Sequence, residues 1–183
     1  IGFDKKTTPT YNDLIKTNIE AQMYKVNPTA YVRVPFDVAD PTALGAVLLK
    51  MKYEDGFVAY LNGTEVARRN APTLLTWNSR APARRREKDA LVFDVFNLAP
   101  SLSLFRPGTN VLSIHGLNAS STSATADFFL LPEGDKLYVA NELSDNLSLV
   151  SLSEGKVTDT IPTSPLPTQV TVQTPQRPRR TPR

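Results

Sequence analysis

Apolar and polar residues alternate along several short segments of the chain, and such alternation is typical of half-buried β-strands. The first such segment, residues 31–38, places apolar side chains at every even position. Pro35 lies within this segment, so we expect the strand at a sheet edge or at a bulge. Further strands are predicted over residues 44–53, 90–96, 110–117 and 127–131.

The clearest local signal is a hairpin over residues 57–68, where Asn62 and Gly63 separate two strand-like runs. Asparagine and glycine tolerate the positive φ angles of a type I′ turn, which joins two antiparallel strands tightly. Residues 11–23 instead show helical spacing, which predicts a short helix near the N-terminus. Residues 70–89 are polar and interrupted by proline, which predicts a long loop.

Many short strands with little helix predict an all-β fold, an antiparallel β-sandwich or barrel. Beyond residue 132, three more short strands are predicted at 137–141, 146–152 and 156–161, which together form a small C-terminal β-meander. The remaining residues, 162–183, are rich in proline, threonine and arginine. One further strand over residues 168–174 is possible there, and the rest is expected to be an extended tail.

Composition argues against several kinds of chemistry. The chain has no cysteine and one histidine, His115, so thiolate nucleophiles, disulfides and multi-histidine metal sites are excluded. It contains no Gly-x-Ser-x-Gly motif either, and we therefore expect no enzyme activity. No apolar run approaches the roughly 20 residues of a membrane span, and the first residues lack a leader, which suggests a piece of a longer protein.

The net charge of +3 comes from two local groups of arginines, at residues 84–86 and near the C-terminus. The first group could bind an acidic polymer such as a uronic-acid glycan, or a phosphate backbone. No aromatic or glycine residues interleave with it, so we favour a solvated loop and do not expect a nucleic-acid partner.

Residues 53–68 resemble a hairpin of galactose-binding-like modules in large bacterial surface and secreted proteins. The resemblance continues through residues 70–72, 77–79, 108–118 and 127–130, and it covers residues 1–132. It implies a jelly-roll β-sandwich in an extracellular or cell-surface protein, with no catalytic residues and with carbohydrate binding as its role.

Residues 137–141, 146–150 and 155–162 resemble one blade of a YVTN-type β-propeller. The predicted domains are therefore a galactose-binding-like sandwich over 1–132, propeller-blade-like strands over 133–174 and a basic tail over 175–183. A blade buries its faces only against neighbouring blades, so one blade is incomplete. We therefore expect a missing remainder, a protein partner or self-association through the blade and the tail.

Trp77 is the only tryptophan, and it lies in the predicted loop beside Asn70, Asn78 and Arg80. A flat apolar ring with nearby amide and guanidinium groups is the mixture that a sugar site needs. These four residues are the candidate carbohydrate site. The alternative interpretation is that Trp77 fills one end of the sandwich core.

Asp55 and Asp127 could supply oxygen ligands to a structural Ca²⁺ ion, which takes six to eight oxygens. The pair Asp55-Gly56 is explained equally well as turn chemistry, and we favour the turn. His115 lies in a predicted strand without a companion ligand. We therefore expect a hydrogen-bonded core or edge histidine there rather than a catalyst.

The sequence thus predicts a non-catalytic module that binds or attaches to polysaccharide or another glycan, within a larger extracellular bacterial protein. The alternative is a structural or adhesion subunit that makes protein contacts through sheet edges and the C-terminal tail.

Overall fold

The computed structural model describes residues 1–6, 11–120, 122, 126–132, 136–141, 146–151 and 156–162, without the side chains of the last three ranges or of residues 45 and 46. Its strands are β1 (Gly2–Asp4), β2 (Thr29–Val38), β3 (Leu44–Glu54), β4 (Gly56–Leu61), β5 (Thr64–Arg69), β6 (Asp94–Asn97), β7 (Gly108–Leu117), β8 (Asp127–Pro132), β9 (Lys136–Asn141), β10 (Asn146–Ser151) and β11 (Lys156–Pro162). The α-helices, α1 (Glu20–Met23) and α2 (Glu87–Ala90), are single turns. Short 3₁₀ segments occupy Asn12–Leu14, Pro41–Ala43 and Ala99–Leu104.

The strands form two antiparallel sheets. The four-stranded sheet has the order β2-β7-β4-β5. The second sheet has the order β1-β8-β3-β9-β10-β11, with β6 also paired to β3. The chain is therefore an all-β sandwich, which confirms the predicted fold class.

The hairpin and the edge strand are formed as predicted. Asn62 and Gly63, with φ angles of 51° and 90°, join β4 to β5. These positive angles are the ones that a type I′ turn requires. Strand β2, which contains Pro35, pairs only with β7 in the sheet order and lies at the edge. A proline there costs no ladder hydrogen bond on the open side.

Two of the predicted elements are wrong in part. The segment predicted as a helix, residues 11–23, contains the 3₁₀ segment Asn12–Leu14 and then α1, because the chain between them pairs with β1. The Gly2 amide donates to the Thr17 carbonyl at 3.0 Å, and Ile19 donates back to Gly2 at 3.1 Å. Similarly, the predicted strand 90–96 begins with the last residue of α2, Ala90, and β6 begins only at Asp94.

The core lies between the sheets and is dominated by aromatic rings. Phe57 of β4 makes edge-on contacts with Tyr53 of β3 and Phe96 of β6, at centroid distances of 4.8 and 5.4 Å. Such pairs contribute about 0.5–1.5 kcal/mol each beyond the burial of their area. Gly116 of β7 allows the close approach of Phe128, since a Cβ atom there would lie 2.5 Å from the Phe128 ring.

The outer faces of the two sheets differ. On the second sheet, Tyr11 stacks on Phe129 at a centroid distance of 5.2 Å, and Leu14, Ile15 and Leu91 pack around this pair. The N-terminal segment and α2 therefore cover that face. The outer face of the four-stranded sheet is only partly covered, by the loop of residues 70–86, and the uncovered part forms the candidate site.

The C-terminal strands continue the second sheet, because β9 pairs with Leu44–Val47 of β3 and β10 lies between β9 and β11. The division into a sandwich and a blade-like unit stays a prediction. The possible strand 168–174 and the basic tail lie outside the described residues. Within the described part of the chain, no helix has the length and apolar character needed to cross a bilayer.

Candidate functional site

A groove with a volume of about 830 Å³ lies on the outer face of the four-stranded sheet. We call it the outer groove. The side chains that line it come from β2, β4, β7 and the neighbouring loops, and they include Tyr31, Arg33, Tyr60, Leu75, Thr76, Arg106, Thr109, Ser113 and His115.

The register of the strands arranges the groove residues in rows. One row runs from Arg33 through Ser113 to Tyr60, and the next runs from Tyr31 through His115 to Val58. Neighbouring strands lie about 4.8 Å apart, and rows two residues apart are separated by about 7 Å. A tyrosine and an arginine on β2 therefore lie side by side on one face.

Tyr31 joins the sheet to the loop that carries Trp77. Its ring is 61% exposed and stacks on the His115 imidazole at a centroid distance of 4.4 Å. Its hydroxyl donates a 2.7 Å hydrogen bond to the backbone carbonyl of Trp77. The aromatic residue on the loop is thus attached to the aromatic residue on the strand.

His115 is buried beneath this contact. Within the described residues its Nε2 atom has no hydrogen-bond partner, and burial lowers the pKa of the imidazole. The neutral form is therefore favoured at neutral pH. His115 was expected to be a hydrogen-bonded residue of the core or of a sheet edge. Among the described residues its Nε2 atom does not form the expected hydrogen bond, and β7 lies inside its sheet, between β2 and β4.

The loop is fixed at several points along residues 70–86. The Asn70 side-chain amide donates to the carbonyls of Asp55 and Ala83, at 3.1 and 2.6 Å. The Ala81 amide donates to the Asn118 carbonyl at 3.3 Å. Val58 lies on the outer face of β4, opposite His115, and is fully buried, which is consistent with the loop covering it.

The predicted carbohydrate-site residues have different surroundings. Trp77 is 70% exposed, so the alternative in which it fills the sandwich core is wrong. Asn78 and Arg80 are also exposed on the loop. Asn70 instead supports the loop, as described above. The four predicted residues lie outside the groove lining, and Trp77 meets its edge through Tyr31.

The sequence interpretation missed four residues of the groove lining, Tyr31, Arg33 and Tyr60 on strands and Arg106 just before β7. A signal was present for two of them. Tyr31 and Arg33 occupy odd positions of the alternating segment 31–38, the side that faces away from the core. The alternation alone therefore places both side chains on the solvent-facing side of the strand.

The arginines at positions 84–86 do not act as one charged cluster. Arg85 lies over the Tyr53 ring at 3.8 Å, donates to the Tyr53 carbonyl and pairs with Asp94 at 3.2 Å. Arg84 and Arg86 are exposed, and Arg86 pairs with Asp89 at 2.7 Å. Arg84 and Arg86 are therefore solvated, as expected, whereas Arg85 anchors the loop to β3.

A group of buried polar side chains lies where β3 passes into β4. Asp55 is 3% exposed, and its carboxylate accepts from the amides of Arg85 and Ala119, at 2.8 and 2.7 Å. The neighbouring Glu54 is equally buried and accepts from the Tyr11 hydroxyl at 3.1 Å. Burial, followed by the adjacent Asp55 carboxylate, raises the pKa of Glu54 to about 10.

Asp127 lies in the same region and forms an ion pair with Lys6, which also pairs with Glu87 at 2.8 Å. Burial raises the pKa of Asp127 to about 6 although Lys6 opposes this shift. In the part of the chain that the structure describes, no group of three or more histidine or acidic side chains could hold a metal ion. The calcium site at Asp55 and Asp127 stays a prediction, and Asp55 already joins two loops to β3.

Comparisons with known proteins give matches among solved structures alone. The chain matches no family model and no curated protein. It is similar to an α-L-rhamnosidase of Streptomyces avermitilis complexed with L-rhamnose, at 15% identity and a TM-score of 0.43, over 76% of this chain and 11% of that one. It is also similar to a β-D-mannosidase of Dictyoglomus thermophilum, at 13% identity and a TM-score of 0.36, over 71% and 20% of the two chains.

A third similar structure is an α-L-rhamnosidase of Aspergillus terreus, at 14% identity and a TM-score of 0.33, over 75% of this chain and 14% of that one. The chain therefore spans at most a fifth of the length of these three proteins.

Proposed function

We propose that the chain is a non-catalytic carbohydrate-binding module of the galactose-binding-like, jelly-roll type, and that it belongs to a larger extracellular bacterial protein. The observation that supports this proposal most directly is the contact between Tyr31 and the Trp77 loop at the edge of the outer groove. The exposed Tyr31 lines a cavity large enough for a small saccharide, and its hydroxyl bonds to the backbone of the exposed Trp77.

The groove offers both kinds of contact that a sugar uses. The rings of Tyr31 and Tyr60 present apolar faces for the C–H surface of a pyranose. The Ser113 hydroxyl and the Arg33 guanidinium lie in one row with Tyr60 and can bond to sugar hydroxyls. Glycoside hydrolysis commonly uses a pair of carboxylates, whereas this groove is lined by aromatic, hydroxyl and guanidinium groups.

Trp77→Ala is expected to weaken binding of the glycan about tenfold, because truncating an exposed aromatic anchor removes its stacking contact. The melting temperature should stay the same, since the side chain is 70% exposed. A glycan array can identify a ligand for the wild-type protein, and calorimetry with that ligand then compares the two proteins.

Val92→Ala is the matched control, because it removes a 61% exposed apolar side chain from a different surface. Its affinity for the ligand should equal that of the wild type. Undiminished glycan binding by Trp77→Ala would contradict the placement of the ligand at this loop.

The alternative, a structural or adhesion subunit, is favoured by one feature of the second sheet. Strand β11 is the last in the sheet order and pairs with β10 alone among the described strands. An unpaired strand edge can accept a strand from another molecule. This alternative predicts concentration-dependent association in sedimentation velocity, and a monomer at every concentration would count against self-association.

A further inference from the structure

Two arginines give the outer groove a positive charge. Arg33 projects from β2, Arg106 lies just before β7, and both side chains line the groove and are exposed. Within the described residues neither guanidinium forms a hydrogen bond or an ion pair, in contrast to Arg68, Arg85 and Arg86. Both groups are therefore available to a ligand.

The nearest carboxylates on this face do not neutralise the charge of Arg33. Glu65 lies opposite Tyr60, but the Arg68 guanidinium holds both of its oxygens, at 2.6 and 2.7 Å. Asp37 accepts from the Thr109 hydroxyl at 2.6 Å. It lies four residues along β2 from Arg33, about 13 Å, which exceeds the screening length of about 8 Å at physiological salt.

An aromatic surface lies directly beside Arg33. Tyr31 precedes it by two residues on the same face of β2, at a spacing of about 7 Å. A sugar ring stacked on Tyr31 therefore brings its substituents within reach of the Arg33 side chain. A guanidinium binds a carboxylate through two parallel hydrogen bonds, which gives this contact strength and direction.

We propose that the outer groove selects acidic glycans, with Tyr31 carrying a sugar ring beside Arg33 and with Arg33 and Arg106 binding the carboxylates of uronate residues. This inference rests on the proposed glycan binding and specifies its ligand class. An acidic polymer was considered above as a ligand of residues 84–86, and this proposal places it at Arg33 and Arg106 instead.

The test compares polygalacturonate with its methyl-esterified form, which has the same backbone but no free carboxylates. Affinity electrophoresis and calorimetry should show at least tenfold tighter binding of the free acid. Arg33→Ala combined with Arg106→Ala should lower that affinity by about tenfold per arginine. Arg84→Ala combined with Arg86→Ala removes the same charge elsewhere and should leave the affinity unchanged.

Arg33→Lys combined with Arg106→Lys keeps the charge but loses the paired hydrogen bonds, so intermediate affinity is expected. The Lys variant also separates a folding defect from a lost contact, and a melting curve is recorded for each protein. Binding of the free acid should weaken as salt rises from 50 to 500 mM, and less so in the Ala variant.

The outcomes separate this inference from the proposed function. Equal binding of the acid and its ester, lost in Trp77→Ala, would overturn the acidic preference while the module remained a glycan binder. Dextran sulfate binding as tightly as polygalacturonate would overturn the uronate assignment. Failure of the wild-type protein to bind any polysaccharide in the glycan array would overturn both proposals.

Discussion

Replacing Glu54 by glutamine is expected to raise the free energy of unfolding by about 3 kcal/mol at pH 7 and to leave it unchanged at pH 4. The side chain is 3% exposed, and burial together with the adjacent Asp55 carboxylate raises its pKa to about 10 from an ordinary value of 4.5. Glu54 is therefore neutral in the folded protein at pH 7, and it ionises on unfolding.

The folded protein and the unfolded chain release the Glu54 proton at different pH values. Between pH 4.5 and pH 10 the folded protein keeps the Glu54 proton and the unfolded chain releases it. Stability therefore falls by about 1.4 kcal/mol per pH unit as the pH rises through this window. Glutamine keeps the neutral shape and the contact with Tyr11 but has no proton to release, so its stability lacks this slope.

Urea denaturation at pH 4, 5.5, 7 and 8.5 measures both proteins. In Glu54→Gln, Asp127 still titrates, because its pKa is raised to about 6. The stability of the variant should therefore keep a pH slope between pH 4 and pH 6 that is smaller than the slope of the wild type. Glu20→Gln serves as the control, because Glu20 forms a partly exposed pair with Lys5 and such pairs contribute little to stability. Parallel stability curves for the wild type and Glu54→Gln would show that Glu54 is ionised in the folded protein.

The parts of the fold that the sequence predicted depend on short-range information. Alternation over residues 31–38 and the Asn62-Gly63 turn specify strands and a hairpin through local geometry. The predicted helix over residues 11–23 is interrupted because Gly2 pairs with Thr17 and Ile19. That contact brings together two segments whose own pattern gives no sign of it, so tertiary pairing overrides helical spacing.

The candidate site was harder to predict because its residues converge only through strand pairing. Tyr31 meets His115 across β2 and β7, two strands far apart in the sequence. The sequence alone also gives no way to distinguish the three arginines at 84–86. In the structure, only Arg85 of the three lies over the Tyr53 ring and pairs with Asp94. The loop containing Trp77 was predicted correctly over residues 70–86, where proline and polar residues exclude regular structure, whereas α2 begins at Glu87 within the predicted loop.

Asp55→Ala is expected to lower the free energy of unfolding by about 4 kcal/mol, the largest loss we expect from one polar side chain. Its two carboxylate oxygens accept from the backbone amides of Arg85 and Ala119. Hydrogen bonds to a charged group contribute about 1.5–3 kcal/mol each, and their removal leaves buried amides without partners. Urea denaturation should show the loss, and the melting temperature should fall by about 10 °C.

Asp55→Asn separates the charge from the shape, because an amide oxygen can still accept from one of the two backbone amides. About half of the loss is expected for this variant, and the exposed Asp13→Ala should change stability little. Asp55→Ala should also weaken glycan binding, because Asp55 holds the Arg85 amide and Arg85 lies near the end of the loop that carries Trp77. Full stability in Asp55→Ala would mean that the carboxylate does not tie the Arg85 and Ala119 loops to β3, and the fixed position of Trp77 beside Tyr31 would then need another cause.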